Sequence, residues 1–384
     1  MELLAAFMLL LGQLSNGSTA NDVTVEQLTA AAEASRQAAF IEQSGKPLVN
    51  KSDPQPDAPV IKGVYSTAYS AGGARLEKLL KLMDDTELNS LVIDIKDDRG
   101  YITYATENPE ITGLATIEKA IPDIQKLMTT LKEHEVYPIA RVVVFKDTFL
   151  AKKRPDLSFV NGDGSVWSNG KGDSFVNPYR KEVWDYNIAV AKEAAALGFK
   201  EIQFDYVRFP EGFEKRADTL TYEKDERKRI DIVADFVKYA KEQLTPLGVR
   251  VSVDIFGYAA SVPAAEGIGQ DFEKISANVD VICPMIYPSH YGTGWFGSPV
   301  PDAAPYQTIA GATIDTHKKL ESLGELKPIV RPWIQDFTAT WVKGYIPYGA
   351  KEIEAQIQAL KDNGVNEYLL WDANNSYTEG VQYK

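Results

Sequence analysis

Glu201-Ile202-Gln203-Phe204-Asp205-Tyr206-Val207-Arg208-Phe209-Pro210 opens as an apolar β-strand and ends in charge. Side chains alternate along a strand, so Gln203 and Asp205 share one face and Ile202 and Phe204 the other. Val249-Arg250-Val251-Ser252-Val253-Asp254-Ile255-Phe256-Gly257-Tyr258 repeats the pattern, with Ser252 and Asp254 opposite Val251, Val253 and Ile255. An Asp late in a barrel strand points into the C-terminal mouth, where barrel enzymes do chemistry. Two on consecutive strands form the kind of carboxylate pair that cleaves a glycosidic bond.

Working outward, β-branched runs predict strands at 61–66, 90–95, 137–145, 201–207, 250–255, 279–287, 328–334 and 367–372. Amphipathic segments between them predict helices at 74–84, 117–134, 180–197, 224–247, 271–277, 304–323 and 350–363. Gly198, Gly248, Gly324 and Gly364 stand where helices should stop. This alternation predicts an α/β fold, a (β/α)8 TIM barrel with an N-terminal helical leader. A doubly wound open sheet is the alternative, but 65–70 after the first strand is not a Gly-rich phosphate loop. After the third strand, Asn161-Gly162-Asp163-Gly164-Ser165 and Asn169-Gly170-Lys171-Gly172-Asp173 flank Trp167 and read as tight turns of an inserted hairpin. Little chain follows the eighth strand, so the expectation is either closure by another segment, such as the leader, or a barrel cut short.

Alternation assigns further inward positions. Asp94 and Lys96 fall together with Val92, Arg141 with Ile139, Tyr287 with Cys283 and Met285, and Arg331 with Trp333 and Gln335, while Asp372 follows Leu370. A barrel interior built only for stability would use Val, Ile and Leu there, because a buried charge is costly unless paired. One reading is an ion-pair network among Asp94, Lys96, Arg141, Asp205 and Arg208. The other is catalysis, with Asp205 kept ionised by Arg141 and Arg208 as nucleophile or base, and Asp254, in an apolar setting, as the acid. Asp94, Lys96, Arg141, Arg208, Arg331 and Asp372 are then candidate substrate contacts. Tyr65, Tyr287, Trp333 and Trp371 are candidate platforms for sugar rings, within a wider set of aromatics after the strands.

The remaining composition mostly excludes. A net charge of −13 argues against nucleic acid, because phosphate binding needs a basic surface. Cys283 is the single cysteine, so no intrachain disulfide is possible, and it reads as a small buried strand residue. The three histidines are scattered without a zinc spacing, and Asp163, Asp173 and Asn177 lack the spacing of a calcium loop. Neither a metal nor a cofactor is implied. The apolar run Leu3 to Leu11 followed by Ser18-Thr19-Ala20 resembles a signal peptide without its basic start, so residues 1–20 read as a signal or anchor remnant, with a plain apolar helix as the competing reading. Residues 21–58 read as an Ala-rich helical leader and a linker containing Pro47, Pro54 and Pro56, which leaves 59–384 for the barrel.

Lys62-Gly63-Val64-Tyr65, Val92-Ile93-Asp94-Ile95-Lys96-Asp97, Phe204-Asp205-Tyr206-Val207-Arg208-Phe209-Pro210 and Val253-Asp254-Ile255-Phe256-Gly257, in this order, resemble the bacterial putative glycosyl hydrolase domain family. The likeness spans residues 59–377. It implies a TIM-barrel glycosidase distantly similar to the α-amylase superfamily, acting on an oligo- or polysaccharide, secreted or at the cell envelope. The superfamily's nucleophile position matches Asp205. Its preceding Arg is replaced by Gln203, and its Glu acid by Asp254. Two rivals stand beside this reading. One is a non-catalytic carbohydrate-binding barrel. The other is an aldolase or phosphate-dependent barrel, for which Lys96 would be the Schiff-base residue, although the segment after the last strand lacks phosphate-binding glycines.

Overall fold

The structure, a computed structural model, describes residues 53–383. The expected signal segment and most of the leader and linker lie outside the described residues. Eight parallel strands form a closed barrel: β1 Lys62–Ser66, β2 Ser90–Lys96, β3 Tyr137–Val143, β4 Glu201–Asp205, β5 Arg250–Phe256, β6 Val281–Met285, β7 Trp333–Gln335 and β8 Tyr368–Trp371. Closure is made by the strands themselves, with β8 pairing β1 through Val64↔Leu370 and β1 pairing β2 through Val64↔Leu91. After β8 the chain folds back, and the Tyr383 carbonyl accepts from Lys62 Nζ at 2.7 Å.

The differences from the expected boundaries have local causes. The helix expected from 117 starts later, as Ile124–Glu133, because Thr116–Ile117 pairs as a short strand with Tyr101–Ile102 and Asp123 caps the helix by accepting from the Lys126 amide. The seventh strand is split into Ile329–Val330 and β7, with Pro332, which has no N–H to donate, in the gap. Helix Lys181–Leu197 stops as expected at Gly198, whose φ of 107° suits glycine.

Alternation sorts the barrel into two cores. Leu91, Ile93, Ile202, Phe204, Val251 and Val253 face the helices. Phe204 packs edge-on against Phe236 of helix Arg229–Leu244, ring centroids 5.5 Å apart, which anchors the strand that carries Asp205. Inside the barrel lie Ile61, Val92, Ile139, Val281, Cys283, Trp333 and Leu369.

The inner positions of β4 and β5 climb the barrel in step. Glu201 and Arg250 stand at the floor, Gln203 and Ser252 midway, and Asp205 and Asp254 at the mouth, with Gln203↔Ser252 in register. At the floor Arg331 Nη1 donates to both Glu201 carboxylate oxygens at 2.7 and 2.8 Å, and Arg331 Nε donates to Glu367 at 2.7 Å. Arg250 is paired there with Asp53, and the Gln55 carbonyl accepts from the same guanidinium. The Asp53–Gln55 end of the expected linker therefore sits against the strand starts.

Candidate active site

At the mouth one guanidinium organises the carboxylates. Arg141, on β3, donates from Nη1 to Asp94 Oδ1 at 2.6 Å, from Nη2 to Asp98 Oδ1 at 2.7 Å, and from Nε and Nη2 to Asp205 Oδ2 at 3.0 and 2.5 Å. The second Asp205 oxygen accepts from the Tyr206 amide at 2.5 Å. That contact follows from a sharp turn at the strand end, since Tyr206 has φ +51°, a left-handed conformation that costs a non-glycine residue energy and clusters at functional sites. Tyr65 Oη donates to Asp94 Oδ2 at 2.6 Å, and its ring stacks on Trp371 with centroids 4.1 Å apart. The Arg141 guanidinium lies 5.7 Å from both ring centres.

Asp254 has different surroundings. It is 2% exposed, and its Oδ1 accepts from the Trp333 indole N–H at 2.7 Å. Burial, then the negative charge of Asp205, push its carboxyl well above the usual range, against the opposing pull of Trp333 and Arg141. Asp94 is pushed up to about 6 by burial, opposed by Arg141. Burial alone would raise Asp98, but Arg141 and Lys146 hold it below its ordinary value. Two neighbouring strands thus carry an ion-paired carboxylate and a buried carboxyl group whose pKa is pushed upward.

Several sequence-predicted contacts lie elsewhere. Lys96 does not face the barrel interior. The ladder between β2 and β3 slips, with Asp94 opposite Arg141 but Lys96 opposite Val142, and this bulge turns Lys96 towards the helices. There it is fully buried, pairs with Asp147 at 2.8 Å and lies 5.4 Å from the Tyr186 ring centre, which takes Lys96 away from the mouth and from the Schiff-base role. Gly100 leaves room for Asp147, since a Cβ there would lie 2.0 Å from its Oδ1. We expect Lys96→Met to lower stability by about 3 kcal/mol, because it leaves a buried carboxylate unpaired. Urea denaturation measures this, and turnover per folded molecule should hold.

Arg331 is on the inner face as expected, but it sits fully buried at the floor, paired with Glu201 and Glu367, and not at the mouth with Asp205 and Asp254. Asp372 shapes the turn after β8, accepting from the Asn374 and Ser376 amides at 3.2 and 2.7 Å. Trp333 is 1% exposed and serves Asp254 rather than offering a platform, and Tyr287 is buried beneath Phe337. The expected turns of the inserted hairpin are present, closed by Asn161 N–H to Ser165 O at 2.8 Å and Asn169 N–H to Asp173 O at 2.9 Å. Asp163 and Asn177 are engaged within the protein, by Ser165 and by Tyr179 and Glu223.

Three residues were missed. Asp98 and Lys146 stand just past strand ends, where only tertiary contact reveals them, Lys146 reaching Asp98 at 3.5 Å. Trp341 is 67% exposed and stacks on Phe337 at 5.8 Å, outward from Tyr287. Its place in a loop after the seventh strand was the available signal.

A cavity of about 650 Å³ opens beside the pair, between the inserted hairpin and the loop after β4. Arg208, Tyr206, Lys146 and Trp167 line it, whereas Asp205 and Asp254 do not.

A closed parallel barrel with carboxylates gathered at its C-terminal mouth has the architecture of the TIM-barrel glycosidases. The chain belongs to the family described as putative glycosyl hydrolase domain, whose match covers residues 63–377. No curated protein sequence matches it. Among solved structures, a hypothetical protein from Ruminiclostridium thermocellum is 34% identical over 50% of this chain and 96% of its own, with a TM-score of 0.46. The glycoside hydrolase domain of PgaB (BpsB) from Bordetella bronchiseptica is 13% identical over 83% of this chain and 95% of its own, with a TM-score of 0.57. The α-galactosidase TtGalA from Thermus thermophilus is 13% identical over 90% of this chain and 63% of its own, with a TM-score of 0.50. The last two share the fold.

Proposed function

We propose that this protein hydrolyses glycosidic bonds of a polysaccharide with Asp205 as nucleophile or base and Asp254 as general acid. The observation that carries the reading is the contrast between the two carboxyl groups. Asp205 is ion-paired to Arg141, while Asp254 is buried next to that negative charge, and both effects push its carboxyl pKa upward, the direction a general acid needs. Asp254 would protonate the leaving oxygen, and Asp205 would attack the anomeric carbon or activate water. Arg141 fixes the Asp205 carboxylate and is a positioning residue. No cofactor is needed for these steps.

The register Phe204↔Val253 puts the two residues side by side on adjacent strands. Strand spacing is about 4.8 Å, closer to the separation of about 5–5.5 Å typical of retaining enzymes than to the wider inverting gap. Retention of anomeric configuration is therefore expected and is read by proton NMR of the first product formed. Inversion would show that water enters between the carboxyl groups.

A second reading, a barrel that binds glycan without cutting it, is favoured by one feature: Asp205 and Asp254 are only 6% and 2% exposed. Reducing-sugar release from a panel of bacterial and plant polysaccharides separates the two. Binding without release from any member would favour the non-catalytic barrel. A place outside the cell or at the envelope rests on the apolar Leu3 to Leu11 run. Fractionation of the expressed full chain tests it, and recovery with the cytoplasm would overturn it.

A further inference from the structure

The cavity beside the carboxylates has a charge opposite to that of the whole molecule. In a chain of net charge −13, it is lined by Lys146, Lys171, Arg208 and Arg216 against Asp173 and Glu211. We propose that this cavity binds an anionic group of the glycan, a carboxylate or a phosphate, next to the bond that is cut; the inference deepens the glycosidase reading and rests on it for that last clause.

Arg208 is the buried cation of this cavity. It is 6% exposed and wedged between aromatic rings, with its guanidinium 4.7 Å from the Phe256 centre and 4.8 Å from that of Tyr206. Its Nη1 donates to the Phe209 carbonyl at 3.1 Å, and its Nη2 reaches Glu211 at 3.3 Å. The Glu211 side chain is 73% exposed, so this partner is largely in water. A buried guanidinium with one solvated counter-charge is undercompensated, and its planar fork matches a carboxylate or phosphate. Arg208 lines the cavity, so an anion there would supply what the protein does not.

The inserted hairpin supplies the opposite wall. Lys171 stands at the tip of its second turn, exposed, and Arg216 is exposed on the loop after β4. Among the described residues neither is in an ion pair. Trp167, buried beside the hairpin turns, backs the same cavity wall. Lys146 links cavity and carboxylates, contacting Asp98, which shares Arg141 with Asp205. A glycan unit seated here would extend directly from the one at the carboxyl pair.

The test is calorimetric binding to the full chain. Three probes are used: an oligogalacturonate, the same oligomer with its carboxyls reduced to alcohols, and a sugar-phosphate polymer. The uronate or the phosphate polymer should bind about tenfold or more tightly than the neutral oligomer, the scale of a charge-assisted pair. Which of the two it is identifies the anion. Lys171→Ala with Arg216→Ala, both at exposed positions, should remove most of that preference, and so should high salt. Arg208→Gln should remove it too where circular dichroism shows a folded protein. Equal binding of the neutral oligomer, or no binding of any probe, overturns the inference. Asp205- and Asp254-dependent cleavage of neutral polysaccharide without anionic preference would overturn it while leaving the glycosidase reading intact. Anionic preference without cleavage of any polysaccharide would keep the anion site and overturn both the glycosidase reading and the placement of the site next to a cut bond.

Discussion

Asp254→Asn is expected to reduce turnover by about 10²–10⁴-fold, the share that a positioned general acid contributes, while leaving the protein folded. The amide has nearly the shape of the protonated acid, and its oxygen can still accept from the Trp333 indole. The pH dependence follows from the raised pKa. The acid must hold its proton, so wild-type activity should fall as pH rises through the Asp254 pKa, which burial and Asp205 push well above the usual carboxyl range. The residual rate of the variant should lack that alkaline limb. Stability follows the same group. A carboxyl whose folded pKa is raised stabilises the fold fully only below its unfolded value of about 3.9, and loses that contribution as pH rises through the folded pKa. Asp254→Asn should therefore gain stability relative to wild type on the alkaline side. Urea midpoints across the pH range check this, and an alkaline limb that persists in the variant would assign the titration to another group.

Arg141→Met is expected to be the most damaging single change at the mouth, costing about 3–5 kcal/mol of stability and most of the activity. Arg141 serves Asp94, Asp98 and Asp205 together, and two of these are buried. Removing it leaves neighbouring carboxylates facing one another without a counter-charge. The loss should shrink as pH falls, because Asp94, already at about 6, can take up a proton and relieve the repulsion. Arg141→Lys should be milder in stability but still impaired in turnover, since an ammonium cannot fork across three carboxylates. Equal stability of Arg141→Met and wild type would mean that the network is not what holds the mouth together.

The eight-strand alternation was legible because strands and helices have different hydrophobic periods, and so were the faces of Asp205 and Asp254. What could not be read was where that period breaks and how high a residue stands. Lys96 obeys the alternation rule up to the bulge after Asp94, and a bulge leaves no clear mark in Val92-Ile93-Asp94-Ile95-Lys96. Arg331 was assigned the right face and the wrong end. Alternation gives a side, whereas height depends on register with other strands, here Val330↔Ile282 and the reach to Glu201 at the strand start. Asp98 and Lys146 have no periodic signature, because their positions are set by the loops after β2 and β3. Trp333 was assigned the inner face, but its role as hydrogen-bond donor to Asp254 requires the distance.

The central claim is that Asp205 and Asp254 together cleave a glycosidic bond. It is tested most directly by reducing-sugar release from a polysaccharide that the wild type degrades, comparing Asp205→Asn and Asp254→Asn with each variant shown to be folded. The account predicts that both substitutions remove release by about two orders of magnitude or more. Release that survives both at near wild-type rate would contradict it and move the chemistry away from the mouth of β4 and β5.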